Sequence, residues 1–228
     1  METSRKTARI VGVLFLTVNI AFLVGVMILE SVLGSTDYLA TISSKRMEVV
    51  LGVFIELINA VAYVGIAVLM FPILKGRFES MALGFIGFRV VEFVMQTLAD
   101  VRALSLVTIS EEFVSASAAE ASSFQTLGSL LLADRYWAFQ MVSITFVLGA
   151  LLFYIMLYQS RLVPRFISIW GFLGAIIVLV NAILDMLGFT PGNLGIVMLL
   201  NELFLGVWLI VKGFNPTQTD AEPNNTAI

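Results

Sequence analysis

The chain has 228 residues, of which 59% are hydrophobic and only 13% charged, and its formal net charge is −3. A soluble domain is nearer to about 45–50% apolar and about 25% charged, so the composition indicates a polytopic membrane protein, and the charge gives no sign of a nucleic-acid partner. Cys and His are both absent, which excludes disulfides, thiol nucleophiles, thiolate or imidazole metal ligands and His general bases.

Six apolar runs predict six transmembrane helices, because a helix needs about 20 apolar residues to cross the hydrocarbon core. The runs lie at residues 10–29, 47–74, 81–102, 136–158, 166–187 and 194–211. The first run follows a basic start but is longer than the roughly 7–15 residues of a secretory signal core, so we interpret it as a retained span. The predicted fold class is therefore an all-α polytopic membrane helix bundle, forming a single domain over residues 1–213.

The connections between these runs are polar and mostly short. Residues 30–46 form a polar connection, and residues 75–79 form a tight charged turn. Residues 110–135 are the only long connection; they are rich in Ala and Ser, and their apolar part, 127–132, is too short to span a membrane. We expect this outward segment to be an interfacial helix, a partly re-entrant helix or a soluble cap. The tail, 214–228, is polar and is predicted to be disordered in the cytoplasm.

The distribution of basic residues predicts the orientation, because cytoplasmic segments of membrane proteins carry an excess of Lys and Arg. With the N-terminus inside, eight basic residues lie in inner segments: Arg5, Lys6, Arg9, Lys75, Arg77, Arg161, Arg165 and Lys212. Only three lie in outer segments: Lys45, Arg46 and Arg135. Both termini are therefore predicted to be cytoplasmic.

The third predicted span carries a polar stripe. Its members are Arg89, Glu92, Gln96 and Asp100. Spacings of three, four and four place them on one face of a helix. A charged group in hydrocarbon costs at least roughly 2.5–3.5 kcal/mol, so this face must turn toward other helices or a wet cavity. The third span is therefore predicted to lie at the centre of the bundle.

Helix rise sorts the polar residues of the spans into two layers. At about 1.5 Å per residue, an inner layer of Asn19, Arg89, Glu92 and Glu202 lies roughly 12–18 Å from the inner face. We expect Arg89 to pair with Glu202 or Glu92, since a buried guanidinium needs a carboxylate partner. That pair would serve either to fix which helices meet or to anchor an anionic ligand.

By the same count, an outer layer lies roughly 22–30 Å up and is acidic. It contains Glu56, Asn59, Gln96, Asp100, Gln140, Asn181 and Asp185. The only cation expected at the depth of its three carboxylates is Arg102. Three carboxylates in a dry site cannot all be ionised, so water, protonation or a bound cation is required. The layer is either a solvated vestibule or a pocket for a cation, a proton or a polar ligand.

Several stretches resemble a bacterial membrane-protein family called domain of unknown function 4386. They are TARIVGVLFL, ALGFIGFRVVE, TISEEFV, FQTLGSLLLADRYWAF, LYQSRLVPRFISIWG and NELFLGVWLIVKGFNP, and together they cover roughly Thr7 to Pro216. The resemblance implies a six-helix integral protein of the bacterial inner membrane and implies no activity. The matched motifs contain Arg89, Glu92, Pro164, Arg165, Asn201, Glu202, Trp208, Lys212 and Gly213.

The candidate ligand-binding residues are Arg89, Glu92, Asn201, Glu202, Glu56, Asn59, Gln96, Asp100 and Asp185. No P-loop, G-x-G-x-x-G, G-x-S-x-G or H-E-x-x-H motif occurs, so we predict no catalytic residue, metal site or cofactor. The favoured hypothesis is a transport-like or sensory protein that takes a small ligand or cation in its interior. The alternatives are a structural or regulatory membrane subunit and a carboxylate-based lipid-modifying enzyme. The lipid bilayer is a predicted partner; no protein partner is identified.

Overall fold

The computed structural model describes residues 2–189, Gly192 and residues 194–215, and this part of the chain is helical throughout, without strands. The helices are α1 (Glu2–Leu33), α2 (Tyr38–Ser44), α3 (Arg46–Ser115), α4 (Ala118–Ser160), α5 (Arg165–Met186) and α6 (Ile196–Val211). The predicted all-α fold class is thereby confirmed. The tail predicted to be disordered lies outside the described residues from position 216 onward.

Helix α3 is folded back on itself. Its helical backbone is interrupted at Phe78, where φ is −132° and ψ is 38°. Gln96 donates a hydrogen bond to Glu56 at 3.1 Å, although the two residues are 40 positions apart, a separation of roughly 60 Å in a straight helix. Therefore α3 is an antiparallel hairpin with a first arm at 46–77 and a second arm at 79–115. The break falls within the predicted turn at 75–79.

Helix length and hydropathy are those of a membrane protein. Helices α1, α3, α4 and α5 are long and apolar enough to cross a membrane, while α6 is a shorter apolar helix of 16 residues. About 20 residues are needed for the hydrocarbon core, so α6 is short for a crossing by itself.

The segment 110–135, predicted as a long connection, is the end of one helix and the beginning of the next. The second arm of α3 continues to Ser115, and α4 runs without interruption from Ala118 to Ser160. Hydropathy missed this because the segment is polar, but Ala has the highest helix propensity. Ser117 begins α4 with a capping box, in which it exchanges hydrogen bonds with Glu120.

The connection predicted at 30–46 is also largely helical, because it contains the end of α1 and all of α2. Side chains of α1, α2 and α3 pack here in an apolar cluster that includes Leu29, Ile42 and Leu106. The Tyr38 hydroxyl donates to the backbone carbonyl of Gln125 in α4 at 3.3 Å. Helix α2 therefore contacts α1, α3 and α4.

The helices form a closed ring. Helix α1 packs on α3 and α6, α4 packs on α3 and α5, and α5 packs on α6. Helices α1 and α6 approach to backbone contact, since a Cβ atom at Gly12 would lie only 2.6 Å from the carbonyl oxygen of Gly206. Small residues permit such close packing between membrane helices.

Candidate functional site

The first polar cluster in the ring surrounds Glu202 of α6. The Tyr63 hydroxyl donates to Glu202 Oε2 at 2.7 Å, and the Asn19 amide donates to the same oxygen at 3.4 Å. All three side chains are less than 9% exposed. Glu202 has no salt bridge to any cation of the described residues, and the two groups that donate to its carboxylate are both neutral. We call Asn19, Tyr63, Arg89, Glu92 and Glu202 the Glu202 cluster.

Arg89, the cation of this cluster, is paired within its own helix and enclosed by aromatic rings. Its Nη1 donates to Glu92 Oε2 at 2.7 Å, one turn away. Its guanidinium carbon lies 4.4 Å from the ring centroid of Tyr63, 4.8 Å from that of Phe146 and 5.3 Å from that of Phe85. Of the two expected carboxylate partners, Glu92 is therefore the one in contact. Tyr63 links Arg89 to Glu202, because its ring contacts the first and its hydroxyl contacts the second.

The second polar cluster, the Arg135 cluster, consists of Glu56, Gln96, Asp100 and Arg135. Arg135 Nη2 lies 3.0 and 2.8 Å from the two carboxylate oxygens of Glu56. Its Nη1 donates to the Ala99 carbonyl at 2.9 Å and lies 3.5 Å from Asp100 Oδ1. Gln96 donates to both carboxylates, at 3.1 Å to Glu56 and 3.2 Å to Asp100.

The expectation that the acidic layer has no cation except Arg102 was therefore wrong. Arg135 is only 7% exposed and supplies the missing charge. Hydropathy does not reveal it, because Arg135 follows a segment too polar to be predicted as a span, although that segment belongs to the continuous helix α4. Arg102 pairs instead with Asp134 at 3.3 Å, on the partly exposed surface.

Asp185 has no contact with Glu56 or Asp100 among the hydrogen bonds of the described residues; its partner from the same predicted layer is Gln140. Asp185 accepts hydrogen bonds from the Tyr136 hydroxyl at 3.0 Å and from Gln140 at 2.7 Å. These contacts join α5 to α4. The depth count gives the height of a residue along its helix but not the direction in which that helix presents it.

Asn201 and Asn59 connect helices. Asn201 accepts from the Tyr154 hydroxyl at 2.7 Å and donates to the Ile167 carbonyl at 3.0 Å, which ties α6 to α4 and α5. Asn59 donates to the Val18 carbonyl at 2.7 Å, which ties α3 to α1.

A cavity of about 330 Å³ lies beside the Glu202 cluster. Its polar lining comprises Asn19, Asn59, Tyr63, Glu92, Gln96, Ser143 and Glu202. The remaining walls are mostly apolar and include Phe22, Met27, Phe139, Phe146, Ile196 and Leu199. A mostly apolar cavity with a few polar groups is typical of a small-molecule site, and 300–1,000 Å³ is roughly the usual size range.

The cavity lies where α1 and α6 diverge. The two helices touch at Gly12 and Gly206, and Asn19 still reaches Glu202. Beyond that point, residues 22–27 of α1 and residues 195–199 at the start of α6 contribute to the cavity wall. The same pair of helices is therefore closely packed at one end and lines the cavity at the other.

The family model described as Domain of unknown function (DUF4386) matches residues 10–213. The chain belongs to this family. The resemblance seen in the sequence motifs is thereby confirmed. No curated protein and no solved structure matched the chain, so the DUF4386 assignment supplies a family without an activity.

In this DUF4386 protein, the predicted candidates separate into two groups. Four of them line the cavity: Glu92, Glu202, Asn59 and Gln96. The other five do not line it: Arg89, Asn201, Glu56, Asp100 and Asp185. Three further polar lining residues were not among the candidates: Asn19, Tyr63 and Ser143. Tyr63 could have been found from the sequence, since it lies on the same face of its predicted span as Glu56 and Asn59.

Proposed function

We propose that this DUF4386 protein is an integral protein of the bacterial inner membrane that binds a small ligand in its central cavity. The observation that carries the proposal is the juxtaposition of two buried carboxylates, Glu92 and Glu202, with a mostly apolar cavity of about 330 Å³. Buried ionisable groups at hydrocarbon depth are costly, and those bordering an internal space are the ones a ligand can use.

Six membrane crossings are part of this proposal. The two arms of α3 give two antiparallel rods, which join α1, α4, α5 and α6 in the ring. Helix α6 extends about 24 Å at 1.5 Å per residue, so it crosses with the help of the adjoining turn or where the bilayer thins. The excess of Lys and Arg in the inner segments supports cytoplasmic termini.

The alternative of a purely architectural subunit explains the Arg135 cluster, whose arginine is fully engaged with its own chain. It leaves the cavity without a role. The two buried carboxylates that line the cavity, Glu92 and Glu202, favour the ligand-binding function.

The test fills the cavity while keeping its charges. Ser143 lines the cavity, and its hydroxyl donates only to the Phe139 carbonyl of its own helix, at 3.1 Å. Ser105 makes the same type of bond, to the Val101 carbonyl at 2.9 Å, and does not line the cavity. Ser143→Leu is therefore the cavity-filling variant, and Ser105→Leu is its matched control.

The purified wild type and both variants are heated with a panel of cationic, neutral and anionic small molecules. A ligand that binds the folded state raises the unfolding temperature. We expect at least one compound to raise it for the wild type and for Ser105→Leu, and not for Ser143→Leu. Equal shifts in all three proteins, or none in the wild type, would refute binding in this cavity.

A further inference from the structure

We infer that the ligand is an amphipathic monovalent cation, whose ammonium-type head lies at Glu92 and Glu202 and whose apolar body lies along α1 and α4. This inference rests on the proposed function, because it names the ligand class of the same cavity. Four observations lead to it: the charge of the cluster, the position of its arginine, the apolar walls and the opening of the cavity.

The charge of the Glu202 cluster is not balanced within the protein when both of its carboxylates are ionised. One negative charge then remains, as in the Arg135 cluster, but there the arginine contacts both carboxylates, whereas the described residues place no cation within salt-bridge distance of Glu202. A buried charge requires compensation. One positive charge on a ligand at the cavity end of the cluster supplies it.

The position of Arg89 excludes an anionic ligand at this end. Arg89 is 3% exposed, is bonded to Glu92 and has three aromatic rings around its guanidinium. It does not line the cavity, whereas two carboxylates do. An anion would therefore meet negative charge directly, because the guanidinium contacts Tyr63, Glu92 and Phe146, and these three residues, not Arg89, line the cavity. This geometry argues against the hypothesis that Arg89 anchors an anionic ligand.

The lining also argues against a bare metal ion. Calcium takes about six to eight oxygen ligands, and no group of three or more His, Cys, Asp or Glu side chains that could hold a metal occurs in the described part of the chain. Most of the wall is apolar instead. A heavy atom in a liquid occupies on the order of 30 Å³, as water does, so the cavity accommodates a body of at least about ten such atoms.

The cavity reaches the surface on the side where α1 and α6 diverge. Three of its apolar lining residues are strongly exposed, with exposed fractions of 47% for Phe22, 71% for Met27 and 49% for Ile196. In the proposed orientation this surface faces the bilayer. An amphipathic cation that partitions into lipid can therefore enter head first toward Glu92 and Glu202, so that its apolar body comes to lie along these hydrocarbon-facing side chains.

The experiment compares three molecules with the same chain and different heads: octylammonium, octan-1-ol and octanoate. Each is titrated into the full-length protein in lipid nanodiscs at neutral pH, and binding to empty nanodiscs is subtracted. We expect saturable binding of octylammonium, and at least tenfold weaker binding of the alcohol and the carboxylate. Equal affinity for octan-1-ol or octanoate would overturn the inference without any variant being needed.

Variants then locate the head. Glu202→Gln retains an acceptor for Tyr63 and Asn19 but removes the charge, and we expect it to weaken octylammonium at least tenfold. Glu79→Gln, an exposed carboxylate change, should leave the affinity unchanged, and Ser143→Leu should abolish saturable binding. Unaltered binding to Glu202→Gln would contradict the proposed head position.

The two proposals fail separately. Suppose that Ser143→Leu abolishes the binding of another compound of the panel and that octylammonium does not bind. The proposed cavity function is then supported, and the inferred cationic class of ligand is wrong. If no compound shows binding that Ser143→Leu abolishes, both the proposed function and the inferred ligand class are wrong.

Discussion

The Glu202 cluster and the Arg135 cluster contain the same formal charges, one arginine and two carboxylates, but they engage the arginine differently. Arg135 of α4 contacts Glu56 on the first arm of α3, and Asp100 and the Ala99 carbonyl on the second arm. Arg89 contacts a carboxylate one turn away on its own arm, and its remaining surroundings are aromatic.

This difference distinguishes a cluster that holds helices together from one whose carboxylate remains available to a ligand. The Arg135 contacts join three rods, so the charge pair specifies how the α3 hairpin meets α4. The Arg89–Glu92 pair joins no separate helices and leaves Glu202, on α6, to neutral donors beside the cavity. A charged group in a membrane interior is thus not by itself evidence of a ligand site; what matters is whether its partners already lie within the protein.

The largest expected effect comes from removing the two arginines in turn. Arg135→Met leaves Glu56 and Asp100 buried without a cation and should lower the free energy of unfolding by about 3–5 kcal/mol. Arg89→Met removes one charged hydrogen bond from Glu92, which lines the cavity, and should cost about 1.5–3 kcal/mol. Denaturant-induced unfolding of the purified proteins measures both.

Arg102→Met is the control for the arginine changes, because its pair with Asp134 is about two-fifths exposed. Such a surface pair contributes about 0–1 kcal/mol. If Arg89→Met were as costly as Arg135→Met, the distinction between the two clusters would be lost.

A change of intermediate effect tests the end at which α1 and α6 touch. Gly12→Leu places a Cβ atom 2.6 Å from the Gly206 carbonyl oxygen, so the two helices must separate. Overpacking of this kind costs about 1–3 kcal/mol. Hydrogen exchange should increase in α1 and α6 around the Glu202 cluster and remain unchanged around the Arg135 cluster.

The matched control is Gly87→Leu, since no atom outside the adjacent backbone of its own helix lies within 4 Å of a Cβ atom at that position. We expect its exchange pattern to resemble that of the wild type. Increased exchange around Arg135 in the Gly12→Leu protein would show that the two clusters are not independent.

The smallest expected effect concerns a charge far from both clusters, at the start of α4. The pKa of Glu120 is lowered from its ordinary value of 4.5 because the Ser117 hydroxyl and the Ser117 backbone N–H donate to its carboxylate. Because the folded-state pKa is depressed, the stabilisation is present above pH 4.5 and is lost as pH falls through the lowered pKa.

Ser117→Ala removes the hydroxyl donor, so the pKa of Glu120 should rise toward 4.5, as measured by carbon NMR of the labelled carboxyl group. Ser129→Ala is the control, because the Ser129 hydroxyl donates to the Thr126 carbonyl of its own helix. An unchanged titration in Ser117→Ala would show that the capping contact does not form in solution. The free energy of unfolding should change less in Ser117→Ala than in Gly12→Leu or the arginine variants. Because Glu120 is exposed, this result would support burial, and not charge alone, as the reason why Arg135→Met is costly.

Local features of the fold could be predicted from the sequence because they depend on one helix at a time. The spacing of Arg89, Glu92, Gln96 and Asp100 predicted one inward face, and all four are at most 5% exposed. The depth count also placed Gln96 and Asp100 with Glu56, which they meet in the Arg135 cluster.

The missing cation could not be predicted in the same way. Hydropathy measures whether a segment can enter lipid, and residues 110–135 are too polar to be predicted as a span, even though all but the junction at 116–117 are helical. Hydropathy therefore predicts a loop at Arg135. The structure shows instead that Arg135 lies within the continuous helix α4 and contacts Glu56.

The sequence by itself determined the helical class, the family and the residues that must avoid lipid, because composition, motif and periodicity are properties of the chain alone. Only the tertiary structure decided that Arg89 pairs with Glu92, that Arg135 contacts Glu56 and Asp100 and that Asp185 contacts Gln140. It alone placed the cavity beside Glu202, with lining residues from α1, α3, α4, α5 and α6. The physical reason is that pairing depends on how far each helix is rotated and how closely it approaches its neighbours, and the Gly12–Gly206 contact sets that approach for α1 and α6.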